Sequence, residues 1–256
     1  MPELFSLLRP LRRLARRFGV DLIPYPAALM GLDERTARTI ENVRPYTMTS
    51  DLRVAALCDA VRYVVNSRIP GDLVECGVWK GGSMMAAART LIESGDRTRH
   101  LYLFDTFEGM TAPTDEDVSA SGESAAELMA RSDLAREDAE SVWCRAPYDV
   151  VRQAMDSVGY DDSKIHYVKG RVEDTLPASA PREIALLRLD TDWYESTRHE
   201  MIHLFPRLST GGVLILDDYG HWQGARRAVD EYLRDHHVPL FLQKIDYSGR
   251  YAVKWR

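Results

Sequence analysis

The sequence predicts an α/β fold in which a mostly parallel sheet of seven strands is covered by helices on both faces. Five short apolar runs alternate with helical patterns, which is typical of parallel strands buried on both sides. Two further runs near the C-terminus are joined by a short turn, so they form an antiparallel hairpin. The length of 256 residues suits a single large α/β domain.

Each element follows from its local pattern in chain order. The predicted parallel strands are 73–77, 100–105, 165–169, 184–190 and 213–217. The predicted helices are 50–67, 82–94, 148–158, 194–208 and 224–236. The predicted hairpin strands are 240–246 and 251–255. Such a sheet binds its ligand at the carboxyl ends of its strands, so the residues that carry the chemistry are expected there.

Composition excludes several classes of protein. The net charge of -6 disfavours nucleic acid as a partner. No apolar run approaches the roughly 20 residues that span a bilayer, and the N-terminus lacks the apolar core of a secretory signal. The three cysteines are odd in number and far apart, so no disulfide scaffold is expected. We therefore expect a cytoplasmic protein with no membrane partner.

The charge is unevenly placed along the chain. Residues 1–20 contain five arginines against one glutamate, with leucines at helical spacing. We expect residues 1–45 to form a helical segment that docks, dimerises or covers the substrate side, and attachment to a membrane surface is a weaker alternative. Residues 111–145 contain nine acidic residues against three arginines, and we expect them to form a lid inserted into the main domain, which we place at 46–256.

The turn after the first strand indicates a cofactor site. Gly77 and Gly81 allow the backbone to turn sharply and to approach a ligand closely, but the pattern is not the G-x-G-x-x-G of dinucleotide sites. Glu75 suits a cationic amino group, and Asp105 at the end of the next strand suits ribose hydroxyls. A cationic amino acid joined to a ribose describes S-adenosylmethionine.

Four carboxylates follow the fourth and fifth strands. Asp190 and Asp192 end one strand, and Asp217 and Asp218 end the next. Carboxylates so close would repel each other, and a bound divalent cation removes that conflict. All-oxygen ligands suit Mg²⁺ best, with Ca²⁺ or Mn²⁺ as alternatives. The competing interpretation is that these side chains cap the helices that follow them.

A metal beside the cofactor methyl group would hold a substrate hydroxyl and make it easier to deprotonate. Asp192 is the first choice for the base that takes the proton, since it lies two residues beyond Asp190 on the same side of an extended strand. His221, just past the aspartate pair, is the second choice.

At these residues the chain resembles the macrocin-type and mycinamicin-type sugar O-methyltransferases. The stretches that carry the resemblance are RPYTMTS (44–50), VECGVWKGGSM (74–84), FDTFEGM (104–110), GRVEDTLP (170–177), LDTDWYEST (189–197) and LDDYGHWQGA (216–225). The resemblance implies a Rossmann-like methyltransferase fold that uses S-adenosylmethionine and Mg²⁺ to methylate a deoxysugar of a glycosylated natural product, such as a macrolide antibiotic.

The resemblance also implies roles for individual residues. The metal ligands would be Asp190, Asp217 and Asp218, with Asp192 as general base. The cofactor site would be lined by Thr47, Met48, Glu75, Gly77, Gly81, Ser83, Asp105, Gly109 and Asp174. The acceptor would be a glycosylated small molecule, and the enzyme a homo-oligomer, either a dimer or a larger assembly.

Three other functions compete with this interpretation. Methylation of a catechol-like diphenol would use the same metal chemistry. A nicotinamide-dependent oxidoreductase is disfavoured because the dinucleotide glycine pattern is absent. A non-catalytic protein that binds S-adenosylmethionine would leave the four clustered carboxylates unexplained.

Overall fold

The computed structural model of the chain describes residues 31–132 and 141–255. Contacts divide the chain into two units, residues 1–37 and 38–256. The predicted amphipathic helix within 1–20 and part of the predicted lid, 133–140, lie outside the described residues. The predicted division at residue 45, and the roles given to its two parts, stay predictions.

The second unit contains the predicted seven-stranded sheet. Its strands are β1 (Asp72–Cys76), β2 (Leu101–Asp105), β3 (Ile165–Lys169), β4 (Ile184–Leu189), β5 (Leu208–Leu216), β6 (Gln243–Lys244) and β7 (Arg250–Val253). The strand order is β3-β2-β1-β4-β5-β7-β6. The strands β1 to β5 pair in parallel, whereas β7 is antiparallel to both β5 and β6. The mostly parallel sheet and its C-terminal hairpin confirm the sequence prediction.

Helices connect the strands. They are α1 (Glu34–Val43), α2 (Asp51–Asn66), α3 (Gly82–Glu93), α4 (Ala125–Arg131), α5 (Tyr148–Asp156), α6 (Val172–Thr175), α7 (Tyr194–His203) and α8 (Gln223–Asp235). None of the helices in the described ranges is both long and apolar enough to span a bilayer. The cytoplasmic location and the absence of membrane and nucleic-acid partners stay predictions.

Three elements have a boundary that differs from the sequence prediction by three residues or more. Helix α7 ends at His203 rather than at 208, because a short 3-10 turn with Pro206 follows it. Strand β5 begins at Leu208 instead of 213, because Leu208 also pairs with β4; the register shifts before Val213, where Gly211 has a φ of 85°. The hairpin strand predicted at 240–246 contracts to two residues.

The core lies on both sides of the central strands. All six residues of β4 are buried, and so are the last four of β1. Arg188 is the charged residue of β4, and it is paired in register with Glu75 of β1. A buried guanidinium group therefore lies at the centre of the sheet, just before the strand ends where the carboxylates are.

A histidine pair lies near the amino ends of β2 and β3. The His100 Nδ1 and His166 Nε2 atoms are 2.7 Å apart, so one ring donates a hydrogen bond to the other. The His166 ring stacks on His100 and Tyr102. Burial and the neighbouring His100 lower the pKa of His166, while the nearby Asp72 carboxylate acts in the opposite direction.

Candidate active site

A cavity of about 230 Å³ opens at the carboxyl ends of the central strands. Its walls come from the turn after β1, the end of β2, and the loops after β3, β4 and β5. The segment before α2 closes another side, with Thr47, Met48 and Thr49 lining the cavity. This is the position at which doubly wound sheets bind their ligands.

The turn after β1 depends on glycine at two positions. Gly77 has a φ of 78°, and a Cβ there would overlap the carbonyl oxygen of Asp190 and lie 2.7 Å from its carbonyl carbon. At Gly82 a Cβ would lie 2.7 Å from the Thr47 Cβ. Both glycines therefore let neighbouring segments approach closely, and the first of them brings the ends of β1 and β4 together.

Asp105 fixes the geometry of two loops at once. Its Oδ2 accepts hydrogen bonds from the backbone N–H groups of Val78 at 2.8 Å and Trp79 at 3.3 Å. Its Oδ1 accepts one from the backbone of Phe107 at 2.7 Å. Burial raises the pKa of Asp105, although these N–H donors act in the opposite direction. The carboxyl group lines the cavity and retains lone pairs for a further donor.

Three carboxylates meet at the ends of β4 and β5. Oxygen atoms of Asp190, Asp217 and Asp218 all lie within 4.8 Å of one another. Asp192 lies beside them in a left-handed conformation, with a φ of 64°. Its backbone N–H donates to Asp218 Oδ2 at 3.2 Å, which joins the loop after β4 to the end of β5.

Two arginines neutralise part of this charge. Arg188 donates to Asp190 at 2.8 Å and to Asp217 at 2.7 Å, and it also pairs with Glu75. Arg53, from α2, pairs with Asp217 as well. The Thr49 hydroxyl makes a long hydrogen bond of 3.3 Å to the same Asp217 carboxylate.

The cluster nevertheless keeps an excess of carboxyl groups over guanidinium groups. Burial, followed by repulsion from Asp190, raises the pKa of Asp192 to about 7. Burial first, together with neighbouring aspartates, also holds the pKa values of Asp190 and Asp218 well above their ordinary range. A bound divalent cation would relieve this repulsion, and the all-oxygen donor set suits Mg²⁺. The residues present therefore fit the metal that the sequence predicts.

The structure brings ten of the sequence-predicted residues to the cavity. They are Thr47, Met48, Gly77, Ser83, Asp105, Gly109, Asp190, Asp192, Asp217 and Asp218. Residues from five separated stretches of sequence thus converge on one volume.

Four predicted residues lie elsewhere. Glu75 is 1% exposed and lies within the sheet, where burial raises its pKa to about 7 although Arg188 lowers it. Gly81 is the N-cap of α3, with a φ of 88°. Asp174 is exposed, and its neighbour Glu173 faces the cavity instead. These three do not line the cavity.

His221, the second choice for the base, is the fourth. It lines a separate cavity of about 720 Å³ between the start of the insertion and α8. Its ring contacts Trp222 and Tyr247 edge-on, and burial and the Arg53 charge lower its pKa. Asp192 is therefore the candidate base that faces the carboxylate cluster.

Several residues that line the cavity were not predicted from the sequence. Arg188 could have been found, since a charged residue inside the apolar run of β4 is unusual unless it is paired. No local sequence pattern indicates Arg53, Thr49 or Cys144, because long-range folding brings them to the cavity.

The described part of the predicted lid is ordered against α7 and α8. Asp117 is 0% exposed and accepts a hydrogen bond from the backbone N–H of Tyr194, the first residue of α7, at 2.7 Å. A β-bridge joins Ser119 to Trp222. At Gly109 a Cβ would lie 2.7 Å from the carbonyl oxygen of Trp143, so the two ends of the insertion meet beside the cavity.

This sheet, with its ligand cavity and carboxylate cluster at the strand ends, defines a Rossmann-like O-methyltransferase. The solved structure of the O-methyltransferase NovP matches it with a TM-score of 0.70 at 30% identity, covering 82% of this chain and 83% of NovP. The family model for macrocin-O-methyltransferase (TylF) matches residues 30–256, and the chain belongs to that family. The predicted family and enzyme class are confirmed.

Two curated relatives are named as O-methyltransferases. The 8-demethyl-8-(2,3-dimethoxy-alpha-L-rhamnosyl)-tetracenomycin-C 4'-O-methyltransferase of Streptomyces olivaceus is 34% identical, over 82% of this chain and 75% of the relative. The mycinamicin III 3''-O-methyltransferase of Micromonospora griseorubida is 31% identical, over 82% of this chain and 78% of the relative.

Proposed function

We propose that this enzyme transfers the methyl group of S-adenosylmethionine to a sugar hydroxyl of a glycosylated natural product, with Mg²⁺ as cofactor. The observation that carries the proposal is the convergence of Asp190, Asp217 and Asp218, within 4.8 Å, on the wall of the strand-end cavity. A metal gives these three clustered carboxylates a role beside the ligand cavity that an O-methyltransferase without a metal would not give them.

The three aspartates would hold the metal. Bound there, Mg²⁺ would orient the acceptor hydroxyl and lower its pKa. Arg188 donates to one oxygen of Asp217 and Arg53 to the other, and the Thr49 hydroxyl makes only long contacts with this carboxylate. The two arginines thus fix the direction of the Asp217 carboxylate.

The other wall of the cavity suits S-adenosylmethionine. Asp105 would accept hydrogen bonds from the ribose hydroxyls, as acidic groups at this position of the fold do. Gly77 leaves room for the backbone to approach the cofactor, and Thr47 and Met48 would cover it. The carboxylate-rich wall would also favour the positive sulfonium group.

Asp192 would be the base. Its carboxyl group lies beside the proposed metal ligands and would take the proton of the acceptor hydroxyl. The bond between that oxygen and the methyl carbon then forms as the bond from carbon to the sulfonium sulfur breaks. The products are the methyl ether and S-adenosylhomocysteine. Holding the two reactants in line accounts for much of the acceleration in such a displacement.

The sugar acceptor is inferred from the relatives. One of the two curated relatives described above is named for a tetracenomycin substrate that carries a rhamnosyl group, and the other is named for methylation of mycinamicin III. The described insertion is acidic and ordered beside the cavity, which suits a bulky acceptor that carries a positive charge. Assembly into a homo-oligomer stays a prediction.

The test is a methylation screen with the purified protein. It would be incubated with Mg²⁺, isotopically labelled S-adenosylmethionine and a panel of macrolide glycosides, aromatic glycosides and free diphenols, and products would be detected by mass spectrometry. We expect a labelled methyl ether on a sugar. Labelling of diphenols alone would replace the sugar assignment with the catechol-type alternative.

The base is tested separately with Asp192→Asn, which keeps the size of the side chain. This variant should bind S-adenosylhomocysteine normally in calorimetry and lose at least about a hundredfold in kcat. A parallel His221→Gln variant should retain most of the wild-type rate. The opposite pattern would move the base to His221.

A further inference from the structure

A carboxyl group that the proposed chemistry does not use lies buried behind the loop after β4. Glu200 of α7 is 0% exposed, and its Oε2 has no hydrogen-bond partner within the described ranges. Burial holds the pKa of Glu200 well above its ordinary range. Burying a carboxyl group costs free energy that an apolar side chain would not cost. Its presence therefore calls for a specific contact.

That contact is with the loop that carries the proposed metal ligand and base. The Thr191 hydroxyl donates to Glu200 Oε1 at 3.0 Å. Thr191 lies between Asp190 and Asp192, so the hydrogen bond ties the centre of this loop to α7. The Cys76 thiol at the end of β1 faces the same carboxyl group. Glu200 thus lies where β1, the loop and α7 meet.

The loop needs such an anchor because its backbone is strained. Asp192 has a φ of 64°, a left-handed conformation that a residue with a side chain keeps only when its surroundings hold it. The loop's backbone is also held by hydrogen bonds from Asp190 N–H to the Cys76 carbonyl at 2.9 Å, from Trp193 N–H to the Thr191 carbonyl at 2.7 Å, and from Asp192 N–H to Asp218. None of these bonds fixes the rotation of the Thr191 side chain, which the bond to Glu200 does.

We propose that Glu200 is a positioning residue of the methyl transfer. Through Thr191 it holds the loop so that Asp190 faces the other metal ligands and Asp192 faces the acceptor hydroxyl. It touches neither substrate nor cofactor. The inference rests on the proposed function, since the roles of Asp190 and Asp192 come from it.

The test compares Glu200→Leu, which removes the acceptor atom, with Glu200→Gln, whose amide oxygen still accepts from Thr191. Glu195→Leu is the control, because it removes an exposed carboxylate from the same helix. We expect kcat of Glu200→Leu to fall at least about tenfold, with both KM values changed by less than about twofold, since a misplaced group costs rate rather than binding. Glu200→Gln and Glu195→Leu should stay near the wild type.

A second measurement does not depend on turnover. Calorimetry should show that Glu200→Leu binds Mg²⁺ about tenfold or more weakly, as loss of a group that orients a ligand does, while S-adenosylhomocysteine binds normally. Thr191→Val removes the other partner and should have the same effects. The double variant Thr191→Val/Glu200→Leu should be no worse than either single variant, because both break one hydrogen bond.

The outcomes separate the two proposals. If the wild type methylates no acceptor, the proposed function fails, and Mg²⁺ calorimetry on the variants still decides the role of Glu200. Normal kcat and Mg²⁺ affinity in Glu200→Leu would overturn the positioning role. Equal losses in Glu200→Leu and Glu200→Gln would also overturn it. If Glu200→Leu does not fold, Thr191→Val decides the question by the same measurements.

Discussion

The close approach of β1 and β4 at Gly77 leads to a sharp prediction for the variant Gly77→Ala. A Cβ at this position would lie 2.7 Å from the Asp190 carbonyl carbon and closer still to the carbonyl oxygen, whereas real Cβ contacts below 3.0 Å are essentially never seen. The neighbour is backbone, so the end of β4 must move by about 1 Å. Asp190 would move with it, which changes its position relative to Asp217 and Asp218.

Gly159→Ala is a matched control. Gly159 has a φ of 74°, close to the 78° of Gly77, but no atom lies within 4 Å of a Cβ built there. Both variants should lose about 1 kcal/mol of unfolding free energy to the left-handed backbone. Only Gly77→Ala adds the steric overlap, which brings its expected loss to about 2 to 4 kcal/mol.

The activity of the two variants should differ more than their stability does. We expect Gly77→Ala to lose about a hundredfold in kcat, because displacement of a reacting group by about 1 Å costs that much. Urea unfolding, steady-state kinetics and Mg²⁺ calorimetry measure these effects. Equal unfolding free energies and equal rates for Gly77→Ala and Gly159→Ala would refute the argument.

Three other predictions concern stability. Arg188 is the counterion of the buried carboxylates that it pairs with. The variant Arg188→Met removes this counterion and should lower the free energy of unfolding, measured in urea, by about 3 to 5 kcal/mol. Asp117→Ala removes the acceptor of the Tyr194 backbone N–H and should cost about 1 to 2 kcal/mol. The lowered pKa of His166 means that the folded state binds fewer protons than the unfolded state, so stability is lost as pH falls through about 6.5. His166→Gln should remove part of that acid sensitivity, because it ends the repulsion with His100.

Each of these has a result that would contradict it. A cost below about 1 kcal/mol for Arg188→Met would mean that the carboxylates find other partners or become protonated at no cost. If the stability of Asp117→Ala were unchanged, water would have replaced Asp117 as the acceptor of the Tyr194 backbone N–H. If the unfolding free energy of His166→Gln depended on pH as steeply as that of the wild type, the acid sensitivity would belong to other groups.

Sequence pattern predicted the parts of the site that depend on strand ends. In a parallel sheet all carboxyl ends meet at one edge, so Asp190, Asp217 and Asp218 could be assigned to one cluster before any geometry was known. Strands β4 and β5 are neighbours, and this is what brings oxygen atoms of the three carboxylates within 4.8 Å of one another.

Positions in loops and short helices were harder to predict. His221 follows Asp218 closely in sequence, but the chain turns into α8 and directs the ring to the neighbouring cavity. In the four-residue helix α6, Glu173 rather than Asp174 faces the cavity. The sequence could not predict this, because so short a helix has no periodic pattern that shows which face is turned inward. Arg53 reaches Asp217 across more than 160 residues of sequence, a pairing that no local pattern encodes.

The central claim is that methyl transfer depends on a divalent cation held by the three aspartates. The most direct measurement follows labelled methyl transfer by the wild type in excess chelator, before and after Mg²⁺ is restored, with S-adenosylhomocysteine binding measured in parallel. We predict that turnover stops in chelator and returns with Mg²⁺, while binding of S-adenosylhomocysteine is unchanged. Full turnover in excess chelator would contradict the claim.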